Sequence, residues 1–422
     1  MKINKIIAGI MAVCVMGIAC PSVTGISDNT AITAKADLKY NYGCLEYINY
    51  GDYIEISGCD DYVTDVVIPS EIDGVPVTSI GDSTFSNCSS LTLIEIPNSV
   101  TNIGTDSVIS CSSLTSINVS ENNSYYSSEN GVLFNKDKTE LIKYPNGKTE
   151  TEYIIPDSVT SIGGSTFIEC TNLTSITIPN SVTEIGDSAF MFCGVLKEIN
   201  IPDSVTEIGN SAFMGCIALE EINIPDSVTE IGGSAFMFCE ALEEINIPNN
   251  VKYIYSYTFR GCTNLIKIII PNSVISIDSE AFHGCKSLTE ITIPKSVTSI
   301  GDMAFFKCSI SSTILNSECE IGNYNHFDYI YGYENSTAQT YAEKNNCKFE
   351  SLEEAPEKET ATGDINGDGE FNIADAVILQ KYLLGDSDAK FTDWQNADLC
   401  ADGRLDVFDL CMMKKKLVED LI

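Results

Sequence analysis

The chain has 422 residues, of which 24 are basic and 60 are acidic, giving a net charge of −36. This charge disfavours binding to nucleic acid or to anionic membranes, because both need surfaces rich in Lys and Arg. Hydrophobic residues form 44% of the chain, so it is able to build a core and is not globally disordered. The balance suits an extracellular protein, or one that binds cations or basic partners.

The N-terminus, residues 1–36, has the pattern of a secretory signal peptide. Lys2 and Lys5 precede an apolar run over residues 6–19, which is short for a membrane helix of ~20 residues. The small residues at 34 and 36 offer a cleavage site. A lipoprotein signal ending before Cys20 is the alternative. The sequence therefore predicts secretion.

A 23-residue repeat fills the middle of the chain. Each unit keeps a proline, a phenylalanine and a cysteine, at Pro156, Pro179, Pro202, Pro225, Pro248, Pro271 and Pro294, at Phe167, Phe190, Phe213, Phe236, Phe259, Phe282 and Phe305, and at Cys170, Cys193, Cys216, Cys239, Cys262, Cys285 and Cys308. The alternating I-x-I before each proline predicts a strand, and the spacing F-x-x-C-x-x-L predicts an inward-facing helical or 3₁₀ turn. One unit cannot bury these side chains alone, so stacked units forming a solenoid are expected.

Breaks in the repeat suggest the domain boundaries. Residues 37–66 form a predicted N-terminal cap, 67–309 the solenoid and 310–350 an irregular C-terminal cap. Within the solenoid, an insert near 120–150 holds a hairpin-like stretch and is expected to project as an irregular turn. Residues 351–361 read as a charged linker, and 362–422 form a separate C-terminal module with helical patterning.

Oxygen ligands for a calcium ion are spaced through residues 364–375 as in an EF-hand loop. Such a hard cation takes six or more oxygen atoms. Gly369 allows the sharp turn at position 6, and Asp375 stands at position 12 in place of the usual Glu. The predicted ligands are the side chains of Asp364, Asn366, Asp368, Asn372 and Asp375 and the backbone carbonyl of Glu370.

A second loop of the same pattern runs over residues 398–409. Its predicted ligands are the side chains of Asp398, Asp402, Asp406 and Asp409 and the carbonyl of Arg404. Cys400 stands at position 3, and a protonated thiol is a poor calcium ligand. We therefore expect two Ca²⁺ ions, with the second site weaker. One amphipathic helix is predicted after each loop, over 376–384 and 410–417.

The duplicated pattern, GDINGDGEFNIADAVILQKYLLG and then ADLCADGRLDVFDLCMMKKKLV, closely resembles the type I dockerins of cellulosomes over residues 362–422. The resemblance implies a small all-α module with two half EF-hands that binds a cohesin module of a scaffoldin. Carried over to this chain, the cohesin contacts are Ile373, Ala374, Gln380 and Lys381 in the first half and Val407, Phe408, Lys414 and Lys415 in the second. The halves differ at these positions, so symmetric dual-mode docking is not expected.

The repeats resemble the BspA-type leucine-rich repeats of bacterial and protist cell surfaces, over residues 67–309 and the caps. This resemblance implies adhesion or protein binding and no shared catalytic site. Together the two resemblances imply a β-rich, right-handed leucine-rich-repeat solenoid joined to a small all-α dockerin.

Three columns of side chains follow from stacking the repeats, one of cysteines and two of acidic residues. The 17 cysteines lose two with the signal segment, which leaves an odd number, and the ladder of repeat cysteines is expected to be buried free thiols, with disulfides or a metal site as the alternative. Acidic columns are expected at Glu198, Glu221, Glu244 and Glu290 and at Glu184, Glu207 and Glu230. The acidic columns either solubilise the surface or bind a cationic ligand.

These features predict a secreted, extracellular, non-catalytic subunit of a cell-surface cellulosome, a setting of polysaccharide breakdown. His283 and His326 are the only histidines, and no nucleophile or zinc-protease motif occurs. The dockerin is expected to attach the chain, and the solenoid to bind an unknown protein or surface. The alternatives are a carbohydrate-binding accessory subunit, with Tyr324, Tyr329, Tyr331 and Tyr333 as a platform, or a polysaccharide- or protein-degrading enzyme.

Overall fold

The computed structural model describes residues 38–352, 363, 365–366, 371–386, 389, 397–399 and 405–419. The expected signal segment 1–36 and most of the linker at 351–361 lie outside these residues. Within the described part of the chain, no helix is long and apolar enough to cross a membrane.

Each 23-residue repeat forms one coil with two short strands, and most of these strands pair in parallel with their counterpart in the next coil. The first column contains β13 (Glu152–Ile154), β15 (Ser175–Thr177), β17 (Glu198–Asn200), β19 (Glu221–Asn223), β21 (Glu244–Asn246), β23 (Lys267–Ile269) and β25 (Glu290–Ile293). The second contains β14 (Ser161–Ile162), β16 (Glu184–Ile185), β18 (Glu207–Ile208), β20 (Glu230–Ile231), β22 (Tyr253–Ile254), β24 (Ser276–Ile277) and β26 (Ser299–Ile300). Ile199 of β17 is buried between exposed Glu198 and Asn200, which is the predicted alternation.

The F-x-x-C-x-x-L stretch faces inward as predicted, but it forms single turns and no helix. Ser188 and Phe192 have φ values of 56° and 60°, and such left-handed residues interrupt a right-handed helix. The amide of Met191 bonds back to the carbonyl of Ser188 at 3.0 Å, whereas the amide of Phe190 bonds forward to Ala212 of the next coil at 2.7 Å. Alternate amides therefore close the turn and join neighbouring coils.

A column of stacked phenylalanine rings runs through the solenoid core. The rings of Phe190 and Phe213 lie 5.1 Å apart and 5° from parallel, and those of Phe213 and Phe236 lie 5.5 Å apart and 1° from parallel. All three side chains are fully buried. Burying one such ring contributes ~1.5–3 kcal/mol relative to exposure, so the repeated phenylalanine is a main stabilising element of every coil.

The insert near 120–150 does not project from the solenoid, contrary to the prediction. It forms β10 (Tyr126–Glu129), β11 (Val132–Asn135) and β12 (Glu140–Lys143), and the first two pair as the expected hairpin. Leu133 packs into the N-terminal core, while Val132 and Phe134 pack into the larger core that follows. Because successive strand residues face opposite sides, β11 joins two hydrophobic cores.

The N-terminal coils precede this insert and are covered by antiparallel strands. They contain β1 (Lys39–Tyr42), β2 (Leu45–Asn49), β3 (Ile54–Cys59), β4 (Asp65–Val67), β5 (Glu71–Ile72), β6 (Val75–Ile80), β7 (Leu93–Ile96), β8 (Asn102–Ile103) and β9 (Ser116–Val119). Strands β2 and β3 pair antiparallel, and β3 then pairs in parallel with β6. Ile54 and Ile56 of β3 are fully buried, so this segment closes the first core.

The C-terminal cap is regular, although the sequence suggests an irregular piece. It contains β27 (Ile310–Ile314), β28 (Glu320–Ile321), β29 (Phe327–Gly332), helix α1 (Thr337–Asn345) and β30 (Lys348–Ser351). Strand β27 continues the parallel ladder from β25, and β29 and β30 extend it. Helix α1 buries Ala338, Tyr341 and Ala342 against the end of the core. The repeat spacing is lost here, but the ladder continues.

The C-terminal module contains two helices, α2 (Ile373–Leu383) and α3 (Val407–Glu419). Each begins three residues before the predicted start. Leu379 of α2 and Met413 of α3 are fully buried in a small shared core that also contains Ile365, Ala397 and Leu410. The module therefore has its own hydrophobic core, which packs the two loop-and-helix halves together.

Candidate functional site

Helix α2 begins inside the first predicted calcium loop because of a capping box. The Asn372 side chain accepts a hydrogen bond from the amide of Ala374 at 2.8 Å, and Asp375 Oδ2 accepts one from the amide of Asn372 at 2.8 Å. These bonds satisfy amides that a helix start leaves without partners. Positions 9 and 12 of the loop therefore also fix where the helix starts, which the ligand spacing alone does not reveal.

The carboxylate of Asp375 draws the two ends of the first loop together. Its Oδ1 accepts hydrogen bonds from the amides of Ile365 and Asn366, at 3.1 and 3.3 Å. Asp375 is completely buried. A buried carboxylate is costly unless hydrogen bonds and a positive charge compensate it. The closed loop and the buried negative charge are what a cation-binding loop requires.

The second loop repeats part of this arrangement. Asp409 is completely buried and Asp398 is 6% exposed. The Oδ2 atom of Asp409 accepts a hydrogen bond from the amide of Asp406 at 2.9 Å, as Asp375 does from Asn372. Both halves thus bury the position-12 carboxylate under the first turn of a helix and tie it to position 9.

These residues fit a calcium ion, which takes carboxylate, amide and carbonyl oxygens. Of the predicted ligands, the structure describes Asn366, Asn372, Asp375, Asp398, Asp406 and Asp409, whereas Asp364, Asp368, Glu370, Asp402 and Arg404 lie outside the described residues. Oδ2 of Asp375 accepts one described hydrogen bond and keeps a lone pair that a cation could use. Across the described residues alone, no cluster of three or more His, Cys, Asp or Glu suits a metal.

The predicted cohesin contacts of the first half lie on an exposed stripe of α2. Ile373 and Leu384 are 74% and 78% exposed, and Val377 between them is 46% exposed. Ala374, Gln380 and Lys381 are exposed on the same helix. Positions 373, 377, 380 and 384 recur at the spacing of one helix face. This stripe, which we call the α2 face, is an apolar surface with one amide and one lysine.

The corresponding surface of α3 is more basic. Val407 is 59% exposed and Lys414 and Lys415 are exposed, while the Phe408 side chain lies outside the described residues. Lys414 Nζ donates to Gln380 Oε1 of α2 at 3.4 Å, so the two predicted contact sets meet. The halves share a backbone arrangement but present different surfaces.

The two acidic columns of the solenoid have the register that the repeat predicts. Glu184, Glu207 and Glu230 pair directly from strand to strand, as do Glu198 and Glu221. Burial, followed by the charges of Glu230 and Glu184, raises the pKa of Glu207. The other column is interrupted by Lys267, which pairs with Glu244, and the sequence reasoning overlooked this basic residue.

The repeat cysteines are buried free thiols, and each has a specific partner. Cys193 Sγ donates to the carbonyl of Phe167 at 3.1 Å, and Cys216 Sγ donates to that of Phe190 at 3.2 Å. Burial raises the pKa of Cys193 to about 12. The thiol is therefore a small apolar side chain that also bonds neighbouring coils, a role that sequence spacing did not suggest.

The coils and the tail define a class of protein, a repeat solenoid followed by a duplicated loop-and-helix module. The BspA type leucine rich repeat region (6 copies) matches residues 58–153, 144–266 and 252–353, and the chain belongs to this family. The dockerin type I domain matches residues 362–418, so the tail is a dockerin. Both predicted resemblances are confirmed.

Solved structures share the solenoid fold. A leucine-rich repeat protein from Eubacterium ventriosum is 26% identical, with a TM-score of 0.51 over 64% of this chain and 95% of that one. A leucine-rich repeat protein from Bacteroides ovatus is also 26% identical, with a TM-score of 0.45 over 74% of this chain and 76% of that one. The comparison with curated proteins finds no match. The first likeness confirms the predicted leucine-rich-repeat fold.

Proposed function

We propose that this chain is a secreted, non-catalytic subunit whose calcium-loaded dockerin binds a cohesin of an extracellular scaffoldin, while its solenoid binds protein. A type I dockerin implies calcium binding and cohesin docking, and a leucine-rich-repeat solenoid implies protein binding. The observation that carries the proposal is the repeated burial of Asp375 and Asp409, each bonded to the position-9 amide of its own loop. Two cations, the second held more weakly, would complete these loops.

We further propose that the α2 face is the main cohesin contact. Its exposed Ile373, Val377 and Leu384 offer apolar area that docking would remove from water. The surface of α3 has Val407 next to lysines. Lysines typically lie at the rim of an interface and speed association with a charged partner, and they are rare in a buried interface core. This asymmetry supports a single docking orientation.

A binding experiment with matched variants tests this orientation. Ile373→Asp and Val407→Asp place the same charge at position 10 of each loop, where both wild-type residues are exposed, so neither change disturbs the core. With a type I cohesin and calcium, Ile373→Asp should weaken binding at least tenfold, the loss expected from an interface anchor. Val407→Asp should weaken it little. Equal losses in both variants would refute the single orientation.

The solenoid is proposed to bind protein through its exposed strand surface. Ile266 and Ile269 are 53% and 57% exposed beside Lys267 and Glu290, so apolar and charged groups occur together, as in protein interfaces. Elsewhere, the Glu280 carboxylate accepts a hydrogen bond from the Arg260 guanidinium at 2.7 Å, which supports a structural role for that carboxylate. This supports the non-catalytic part of the proposal.

A carbohydrate-binding role is the second candidate, because the rings of Tyr329 and Tyr331 on β29 lie nearly parallel, 5.9 Å apart. A pull-down with the full chain on plant polysaccharides and on fibre-associated proteins separates the candidates. If the solenoid binds protein, fibre-associated proteins should retain the chain, and Tyr331→Ala should not change this retention. Retention by polysaccharide that Tyr331→Ala abolishes, and that substitution of the exposed Tyr125 outside the platform (Tyr125→Ala) spares, would instead favour the second.

A further inference from the structure

Two cysteines at the N-terminal end of the solenoid are arranged differently from the rest of the ladder. The Sγ atoms of Cys59 and Cys88 lie 3.1 Å apart. Cys59 ends strand β3 of the cap, and Cys88 holds the cysteine position of an earlier F-x-x-C-x-x-L copy, Phe85 to Leu91. A disulfide has a sulfur–sulfur distance of 2.03–2.05 Å, so bond formation needs a movement of about 1 Å.

The break in the ladder explains why these two thiols meet. In the regular coils each cysteine thiol donates to the carbonyl of the residue 26 positions earlier, as Cys111 does to Phe85 at 2.8 Å. For Cys88 that position is Tyr62 in the cap, and the Cys88 sulfur instead contacts the Cys59 sulfur. The cap therefore brings the Cys59 sulfur to Cys88 where the regular coils supply a carbonyl.

We propose that Cys59 and Cys88 are a thiol pair that exchanges with small disulfides and locks the cap to the first coil. Cys59 is partly exposed, so a small disulfide is able to reach it, whereas the repeat thiols from Cys193 to Cys285 are completely buried. Cys44 lies close enough to influence Cys59 and is a third thiol at this end. This site is independent of calcium and cohesin binding.

The exchange proceeds in two balanced steps. After the pair loses one proton, the remaining proton moves from the Cys59 sulfur to the Cys88 sulfur. The Cys59 thiolate then attacks one sulfur of the small disulfide, whose S–S bond breaks, and the released thiolate takes up a proton from solvent. Cys88, as thiolate, then attacks the Cys59 sulfur of the mixed disulfide and releases the second small thiol. In the reduced pair the hydrogen bond between the two sulfurs lowers the pKa of Cys88 and raises that of Cys59, so after the first ionisation the shared proton rests on Cys59 and must pass to Cys88 before Cys59 attacks.

Incubating the native full chain with oxidised glutathione tests the proposal. We expect the intact mass to fall by two hydrogens, and non-reducing peptide mapping to find one link, between Cys59 and Cys88. The bond should raise the thermal midpoint of the N-terminal coils by roughly 5 °C. Cys59→Ser and Cys88→Ser should each abolish the loss of hydrogens, whereas the control Cys216→Ser should retain it.

Three outcomes would overturn the proposal: a stable glutathione adduct with no internal bond, a link that includes Cys44, or zinc that co-purifies stoichiometrically with these thiols. If a serine variant fails to fold, selective alkylation of the native wild-type chain tests the proposal instead. Rapid labelling of Cys59 that oxidised glutathione blocks supports the pair. Equal labelling before and after oxidation contradicts it.

Discussion

Raising the pH from 8 to 10 should destabilise the solenoid through its buried thiols. Burial raises the pKa of Cys193 from 9.0 to about 12, so the native state keeps the proton well above the pH at which the unfolded chain loses it. A raised native pKa gives stability that is complete below pH 9 and is lost as the pH rises towards 12. At pH 10, ionisation of this one thiol favours the unfolded state by roughly 1 kcal/mol.

Two substitutions separate ionisation from hydrogen bonding at Cys193. Cys193→Ser keeps a donor for the Phe167 carbonyl but does not ionise at pH 10, whereas Cys193→Ala removes both the donor and the ionisation. Urea unfolding followed by circular dichroism, with a phosphine reductant and without oxygen, measures the free energy of unfolding. Wild type should lose roughly 1 kcal/mol more between pH 8 and 10 than either variant. The same pH-dependent loss in wild type and both variants would refute the reasoning.

Three further predictions concern backbone, charge and metal. Gly261→Ala should destabilise the chain more than Gly284→Ala. Both glycines have a positive φ, which costs ~1–2 kcal/mol for a residue with a side chain. Only at position 261 would the new Cβ also clash with the Phe238 ring, at 2.4 Å. Equal unfolding midpoints would contradict this. Burial lowers the pKa of Lys143, so the free energy of unfolding of wild type, relative to that of Lys143→Met, should rise between pH 7 and 10. If urea titrations give the same difference between the two proteins at every pH, the prediction is wrong. Chelator should melt the two dockerin helices and leave the solenoid β signal, and unchanged helical circular dichroism would argue against metal-linked folding.

The repeat fold was predictable because its main determinants are local and periodic. Proline, phenylalanine and cysteine recur at a fixed step, and one buried face of I-x-I identifies a strand. The left-handed residues were not predictable, since Ser188 and Phe192 are not glycine and their φ values depend on bonds to the next coil. The repeat therefore predicts stacking but not the course of the backbone between strands.

The insert and the dockerin show where interactions between distant residues or overlapping roles limit sequence reasoning. Val132, Leu133 and Phe134 form an apolar run in an otherwise polar hairpin, and their burial in two different cores depends on coils on both sides. In the dockerin, the spacing of the calcium ligands could be recognised from the sequence, but the helix start inside each loop was not predicted. Asn372 and Asp375 also match a capping box, and that second pattern in the same residues could have located it.

Calorimetric titration of calcium into the chelator-stripped full chain tests most directly whether the dockerin needs calcium to fold and to bind cohesin. We predict two binding events, the second weaker, and loss of the tighter event when Asp364→Ala is combined with Asp375→Ala. The parallel loss of cohesin binding in that variant would link the metal to docking. A wild-type chain that binds cohesin but releases no heat with calcium would contradict the account.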